Sequence, residues 1–373
     1  MAEPIVQQTR TRRLELLDLL RFFAALMVVV FHWFFNGINN GKVTSIEFTA
    51  VAPFAVYGFF GVHLFFLISG FVISQSANGK SAGQFFVSRG VRLFPAYWAA
   101  MIATTIVVSV WGNAAMKVTP LQFLANVTMV PNLFGQPFID GVYWTLVIEL
   151  SFYALVFLVL LLGLGRFLDR LFPIWGVLML AVAVLLPSLS TLPYLGGYYA
   201  FFASGAIMAT IQRSGFSAMR LIGLAAAGAT ALLFVFRQLP EFNYAHAFRA
   251  STTIVLALIL LFFVAIALLW IPRVARLRIP FSRPVSDLTY PIYLLHAHIG
   301  YTVLNQVASQ ADAGLVYAAM FVGLFVAAWL LHQVIEVRMK ATWYRGFGLL
   351  RQPIDRLQGL LSGPRRPTPG RRA

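Results

Sequence analysis

Ten apolar runs, each close to the thickness of a bilayer's hydrocarbon core, dominate this 373-residue chain. A helix needs roughly 20 apolar residues to span a core ~30 Å thick. Such runs lie at 16–36, 54–75, 93–111, 142–164, 173–188, 194–211, 220–237, 250–270, 286–306 and 314–336. In lipid the backbone must satisfy its own hydrogen bonds, so the runs read as helices. The expected fold class is all-α, a polytopic membrane helix bundle of about ten transmembrane helices. The fifth and sixth runs are short and separated only by Pro187 to Pro193, which leaves their bounds the least defined. Hydrophobic residues make up 60% of the chain and charged residues 11%, against about a quarter charged in soluble domains. Such a surface could not be wetted, which excludes a cytosolic globular enzyme and a disordered chain.

Charge orients the bundle. Of 28 lysines and arginines, 23 fall on one side if the N-terminus is inside, while Lys42, Lys117, Arg237 and Arg249 fall on the other and Arg21 lies within the membrane. Cations crowd cytoplasmic loops, so both termini are expected in the cytoplasm. That also accounts for the net charge of +16 without nucleic acid, because no basic stretch is interleaved with aromatics on a soluble fold. The first helix follows a basic segment and lacks a small-residue cleavage site, so it reads as a retained anchor. Residues 1–338 are expected to form the membrane domain. Residues 339–373, ending GPRRPTPGRRA, are expected to form a basic cytoplasmic tail, partly disordered. Cysteine is absent, which excludes disulfides, thiolate metal sites and a cysteine nucleophile. No metal site is expected.

Ionisable groups inside a membrane helix are costly and face a bundle interior or a wet cavity. In the first helix, Arg21 and His32 are eleven residues apart and share a face, with a rise of roughly 16 Å between them. Asp18 sits one turn before Arg21 and is expected to pair with it. In the second, His63 reads as a packing group, and Ser69-Gly70 as either a nucleophile or a close-packing small pair. Arg89 and Arg92 set two guanidiniums on one helical face at the cytoplasmic surface, suited to bidentate phosphate binding. Glu149 stands in an uncharged apolar run and needs a cationic or hydrogen-bonding partner; an ion pair with Arg21 is the simplest. In the ninth helix Tyr290, Tyr293 and His296 recur along one face, Ser286 reads as the N-cap, and His298 points elsewhere as an interface residue.

Together these segments resemble the acyltransferase 3 family of integral membrane acyltransferases, over residues 12–336. The family's Arg, ten residues, His pattern is met by Arg21 and His32. Its F-F-x-x-S-G-F signature is met by Phe65, Phe66, Ser69, Gly70 and Phe71, and R-x-x-R with a following proline by Arg89, Arg92 and Pro95. W-x-L-x-x-E-x-x-F-Y is met by Trp144, Leu146, Glu149, Phe152 and Tyr153, and Y-x-x-Y-L-x-H by Tyr290, Tyr293, Leu294 and His296. The resemblance implies an O-acyltransferase of the bacterial inner membrane, moving an acyl group, acetyl above all, from cytoplasmic acyl-CoA to a hydroxyl of a cell-surface or exported carbohydrate or glycolipid. It also implies contact with the polysaccharide biosynthesis machinery, and no permanently bound cofactor. On that reading Arg89 and Arg92 hold CoA phosphates, with Ser69, Tyr290 and His296 alongside. His32 acts as general base or carries the acyl group itself. Glu149 and the Asp18–Arg21 pair set the imidazole's tautomer, and Tyr290 or Tyr293 donates to the oxyanion. Some members carry an appended SGNH esterase-like domain, which this chain is not expected to contain. The rival class is a transporter or flippase of a lipid-linked sugar or small solute, in which intramembrane charges mark a pathway. Acceptor choice is expected in the outward loops 37–53 and 112–141.

Overall fold

The structure, a computed structural model, describes residues 13–362. Arg10 and Arg12 of the expected cytoplasmic set, and residues 363–373 of the expected tail, lie outside them. The described residues are helical with no strand, and eight of their helical segments are long and apolar enough to cross a membrane. The chain is a multi-pass membrane protein. Its principal helices are α1 (Glu15–Phe31), α2 (Gly61–Ala77), α3 (Ala82–Trp111), α4 (Trp144–Leu161), α5 (Leu168–Leu185), α6 (Tyr199–Ser214), α7 (Ala218–Ala245), α8 (Thr252–Ala267), α9 (Ser282–Leu295), α10 (Ala297–Val307) and α11 (Ala313–Leu331).

Two of the ten expected spans take a different form. The sixth becomes α6, a 16-residue helix buried along most of its length. The ninth divides into α9 and α10 at His296. His296 Nδ1 donates to the Tyr293 carbonyl at 2.7 Å, the acceptor that an uninterrupted helix would offer to residue 297. Trp33 Nε1 donates to the His296 carbonyl at 2.7 Å and fixes the bend. Ser286 is not the N-cap: the helix starts earlier, at Ser282, and Ser286 is buried in its second turn.

The centre of the bundle is the crossing of α2 and α6. A side chain at Gly70 would run into the Phe202 carbonyl, and one at Gly205 into the Leu67 carbonyl. Only glycine lets the two backbones meet so closely, the small-residue packing that replaces hydrophobic drive between helices in lipid. Residues 340–362, expected within a tail, form two helices, α12 (Lys340–Gly348) and α13 (Arg351–Ser362). The first amides of α3 have no partner within that helix. Instead Ala82 N donates to Gln358 Oε1 at 3.0 Å and Gly83 N to Asp355 Oδ1 at 2.9 Å. Gln358 Nε2 in turn donates to the Leu160 carbonyl at the end of α4, at 2.8 Å. The α13 helix therefore fastens α3 to α4 beneath the site.

Candidate active site

Two cavities lie back to back inside the bundle. The first, about 110 Å³, is lined by Arg21, Arg89 and Arg92 together with Ser69, Glu149 and Tyr290. The second, about 270 Å³, is lined by His32, Asn36, Lys42, Asp140, His298 and Tyr301, with Phe31, Phe59 and Trp144 as aromatic walls. Val62, Thr145 and Tyr293 line both. A third cavity, about 410 Å³, shares Arg89 and Arg92 with the first and adds Arg283, Lys340, Trp343 and Tyr344.

In the basic cavity Glu149 makes no direct ion pair with the arginines among the described residues. Glu149 Oε1 accepts from Ser69 Oγ and from Tyr153 OH, each at 2.6 Å. Glu149 thus takes the hydrogen-bonding alternative and not the ion pair with Arg21, and the expected Asp18–Arg21 pair is absent among the described residues too. Asp18 accepts from Arg13 Nε at 2.5 Å and from Ser286 Oγ at 2.8 Å. Three helical steps turn Arg21 about 60° away from Asp18, enough to send Asp18 toward α9 while Arg21 faces the cavity. Ser69 does not bond back to its own helix; its neighbour Gly70 does the packing. Arg92 bridges to Glu336 at 3.3 Å and lies over the Tyr290 ring, while Arg89 lies over the Tyr153 ring and donates to Ser88 Oγ at 3.0 Å. Aromatic faces hold guanidiniums in this way without consuming their donors. Tyr290 OH donates to the Leu93 carbonyl at 3.0 Å, tying α9 to α3.

The histidine cavity begins where α1 widens. Residues His32–Asn36 form a π-helical turn, a local distortion that recurs at functional sites. The turn brings Asn36 Nδ2 to 3.3 Å from His32 Nδ1. The same ring nitrogen meets the Tyr301 hydroxyl, to which Asn36 Nδ2 donates at 3.2 Å. Neither Glu149 nor Asp18 and Arg21 reach His32, so its tautomer is governed by Tyr301 and Asn36 and not by the carboxylates the sequence suggested. Across the cavity Asp140 organises two helices. Its Oδ1 accepts from Val142 N at 3.1 Å at the entry to α4, and its Oδ2 accepts from His298 N at 2.9 Å near the start of α10. Lys42 Nζ donates to His298 Nε2 at 2.8 Å. Burial draws the Lys42 ammonium below the usual lysine range, and Asp140 opposes that.

Other expected site residues move. Tyr293 is in the wall between the cavities: its hydroxyl lies 2.6 Å from Thr145 Oγ1 and both hydroxyls lie 3.0 Å from the Val142 carbonyl, so that one donates to that carbonyl and the other donates to its neighbour. It is therefore committed to protein partners and not poised as an oxyanion donor. His296, expected on the donor side, is fully buried beneath His32, with ring centroids 5.0 Å apart, and lines neither cavity. His298, expected at an interface elsewhere, lines the histidine cavity. His63 packs among Phe59, Phe60, Tyr198 and Phe201. Asn36, Lys42, Asp140 and Tyr301 were not singled out from sequence. Asn36 had a signal, four residues beyond His32 on the same helix; Asp140 and Tyr301 had none, because their relevance arises only from tertiary pairing.

A family model described as an acyltransferase domain matches residues 14–333. Nodulation protein 10 of Rhizobium leguminosarum bv. viciae is 31% identical over a match covering 45% of this chain and 48% of that protein. YrhL of Bacillus subtilis strain 168, named provisionally as a peptidoglycan O-acetyltransferase, is 27% identical over 46% of this chain and 27% of its own length. The chain thus spans about half the length of one curated relative and about a quarter of the other. No solved structure matches it.

Proposed function

The chain belongs to the acyltransferase 3 family, whose model covers residues 14–333, and on that premise we propose that it is an integral membrane O-acyltransferase of the bacterial inner membrane. It takes an acyl group, acetyl above all, from cytoplasmic acyl-CoA to a hydroxyl of a cell-surface or exported carbohydrate. The observation that carries this reading is the pair of back-to-back cavities, one lined by Arg21, Arg89 and Arg92 and the other by His32. The cationic cavities suit the phosphates of CoA, with Trp343 offering a face for the base and the arginines offering bidentate forks. The pantetheine arm then runs up the basic cavity past Arg21. The rise of roughly 16 Å from Arg21 to His32 is a distance for that arm and not for the nucleotide.

At the far end His32 is the general base. In the tautomer this role requires, Nδ1–H donates to the Tyr301 oxygen, which also accepts from Asn36 Nδ2, and the Nε2 lone pair is free for the acceptor's proton. The acceptor oxygen attacks the thioester carbonyl and the new C–O bond forms. The C–S bond breaks, and the proton held at Nε2 passes to the departing thiolate. Ester and CoA thiol account for every atom of acceptor and thioester. Trp144 and Phe59 offer apolar faces to a sugar ring, and Asn36, Asn40 and Asp140 offer amide and carboxylate groups for its hydroxyls. The two curated relatives carry names in nodulation and peptidoglycan acetylation, which supports a carbohydrate acceptor here.

The test uses inverted membrane vesicles of the producing cell with radiolabelled acetyl-CoA, counting label in carbohydrate. His32→Ala should lower transfer by about 10²–10⁴-fold while acetyl-CoA still binds. Transfer at the wild-type rate in a folded His32→Ala protein would remove the base from this account, and no labelling by the wild type would remove the reaction.

A further inference from the structure

The basic and histidine cavities meet at Val62, Thr145 and Tyr293, the residues that line both. All three are nearly sealed, with Val62 and Tyr293 5% and 6% exposed and Thr145 6%. They form a shared, closely packed partition between the two cavities. The wall is held from several sides. The Tyr293 and Thr145 hydroxyls hydrogen-bond to each other and sit together at the Val142 carbonyl at the entry to α4. The Tyr293 ring packs edge-on against Phe65 of α2 and tilted against His296. The lining of this partition is uncharged, between a chamber of guanidiniums and a chamber of imidazoles.

We propose that Val62, Thr145 and Tyr293 form the aperture through which the acyl group passes, and that their bulk sets the largest acyl group the protein transfers. This rests on the reading of the two cavities as donor and acceptor chambers. If the thioester enters from the arginine side and reacts at His32, its acyl end must slip between these three side chains. The short acetyl end of a thioester can pass these side chains with little displacement, whereas a chain of several methylenes must displace the Val62 methyls and the Tyr293 ring. Excluding methylenes from a fitted pocket discriminates by about 10–200-fold each at most, so a modest change in this wall should be visible as a change in chain-length preference. The same packing has a second duty, since a passage lined by polar groups on both sides of a membrane would conduct protons if it stood open.

The experiment gives inverted membrane vesicles radiolabelled acetyl-CoA or hexanoyl-CoA and compares the rates of carbohydrate labelling. Val62→Ala should raise the hexanoyl-to-acetyl ratio about tenfold, and Val62→Phe should depress both rates. A chain-length ratio unmoved in Val62→Ala, with acetyl transfer intact, would overturn the aperture. Proton entry into dye-loaded liposomes, which requires neither donor nor acceptor, is the second readout. Tyr293→Ala, and independently Val62→Ala/Thr145→Ala, should leak where the wild type is tight. Tight liposomes from whichever widened variant elutes as a folded species would also overturn it. Absence of acetyl labelling by the wild type would instead sink the transfer reaction and with it the acyl passage, and the leak measurement would then test only whether these three residues seal the bundle.

Discussion

At His32 the decisive contacts come from its own helix and from a tyrosine 269 residues away. The spacing from Arg21 was legible because helical periodicity carries a face reliably over eleven residues, and each of the two now lines a cavity. Partners were much less legible. Asp18 was assigned to Arg21 on one-turn proximity, yet proximity along a helix does not fix which neighbouring helix a short carboxylate turns toward. Asp18 accepts from Ser286 and Arg13 instead. A double-mutant cycle distinguishes the two assignments: Asp18→Asn and Ser286→Ala should be coupled by about 1 kcal/mol, read as thermal stability in detergent. Coupling with Arg13 should be weaker, because its side chain is 42% exposed and such pairs give at most about 1 kcal/mol. Asp18 and Arg21, which share no hydrogen bond among the described residues, should be coupled less strongly than Asp18 and Ser286. Strong coupling between Asp18 and Arg21, with none to Ser286, would restore the sequence-based pairing.

Among the elements, length and apolar content were readable, and irregular turns were not. A π-helical turn at His32–Asn36 and another at His332–Arg338 leave no mark in hydropathy. Each arises where side chains on the widened turn find partners, Tyr301 for the first and Arg92 for the second. The division of the ninth run at His296 escaped notice for a similar reason, since it depends on a side chain taking a backbone acceptor. The glycine contacts were half legible. Ser69-Gly70 read as a packing pair, but its partner Gly205 could not be named without the crossing of α2 and α6. Gly205→Val should therefore destabilise the fold by about 1–3 kcal/mol through overpacking, because its side chain meets the Leu67 carbonyl. Gly323→Ala in α11, where an added methyl would meet no neighbouring element within 4 Å, is the control and should melt at or slightly above the wild type. Equal melting temperatures for both variants would show that the crossing tolerates bulk.

For the molecule as a whole, the charge census and the cavities point the same way: arginines gather at one end, and the wall toward the other end is uncharged. Val62, Thr145 and Tyr293 carry no formal charge, so whatever moves past them is exposed to the transmembrane field only through its own charge. In the proposed reaction the thioester arm that passes them is neutral, while the phosphates of the donor would stay among the guanidiniums. The proton released by the acceptor leaves on the CoA thiol as part of a neutral group. Moving one elementary charge through the full field would cost or gain about 2.3 kcal/mol per 100 mV, close to a fiftyfold change in rate. The proposed transfer is electrically silent. Clamping vesicles at opposite potentials with potassium and valinomycin should leave the acetylation rate within about twofold, whereas a carrier that moved the anionic donor would respond by one to two orders of magnitude.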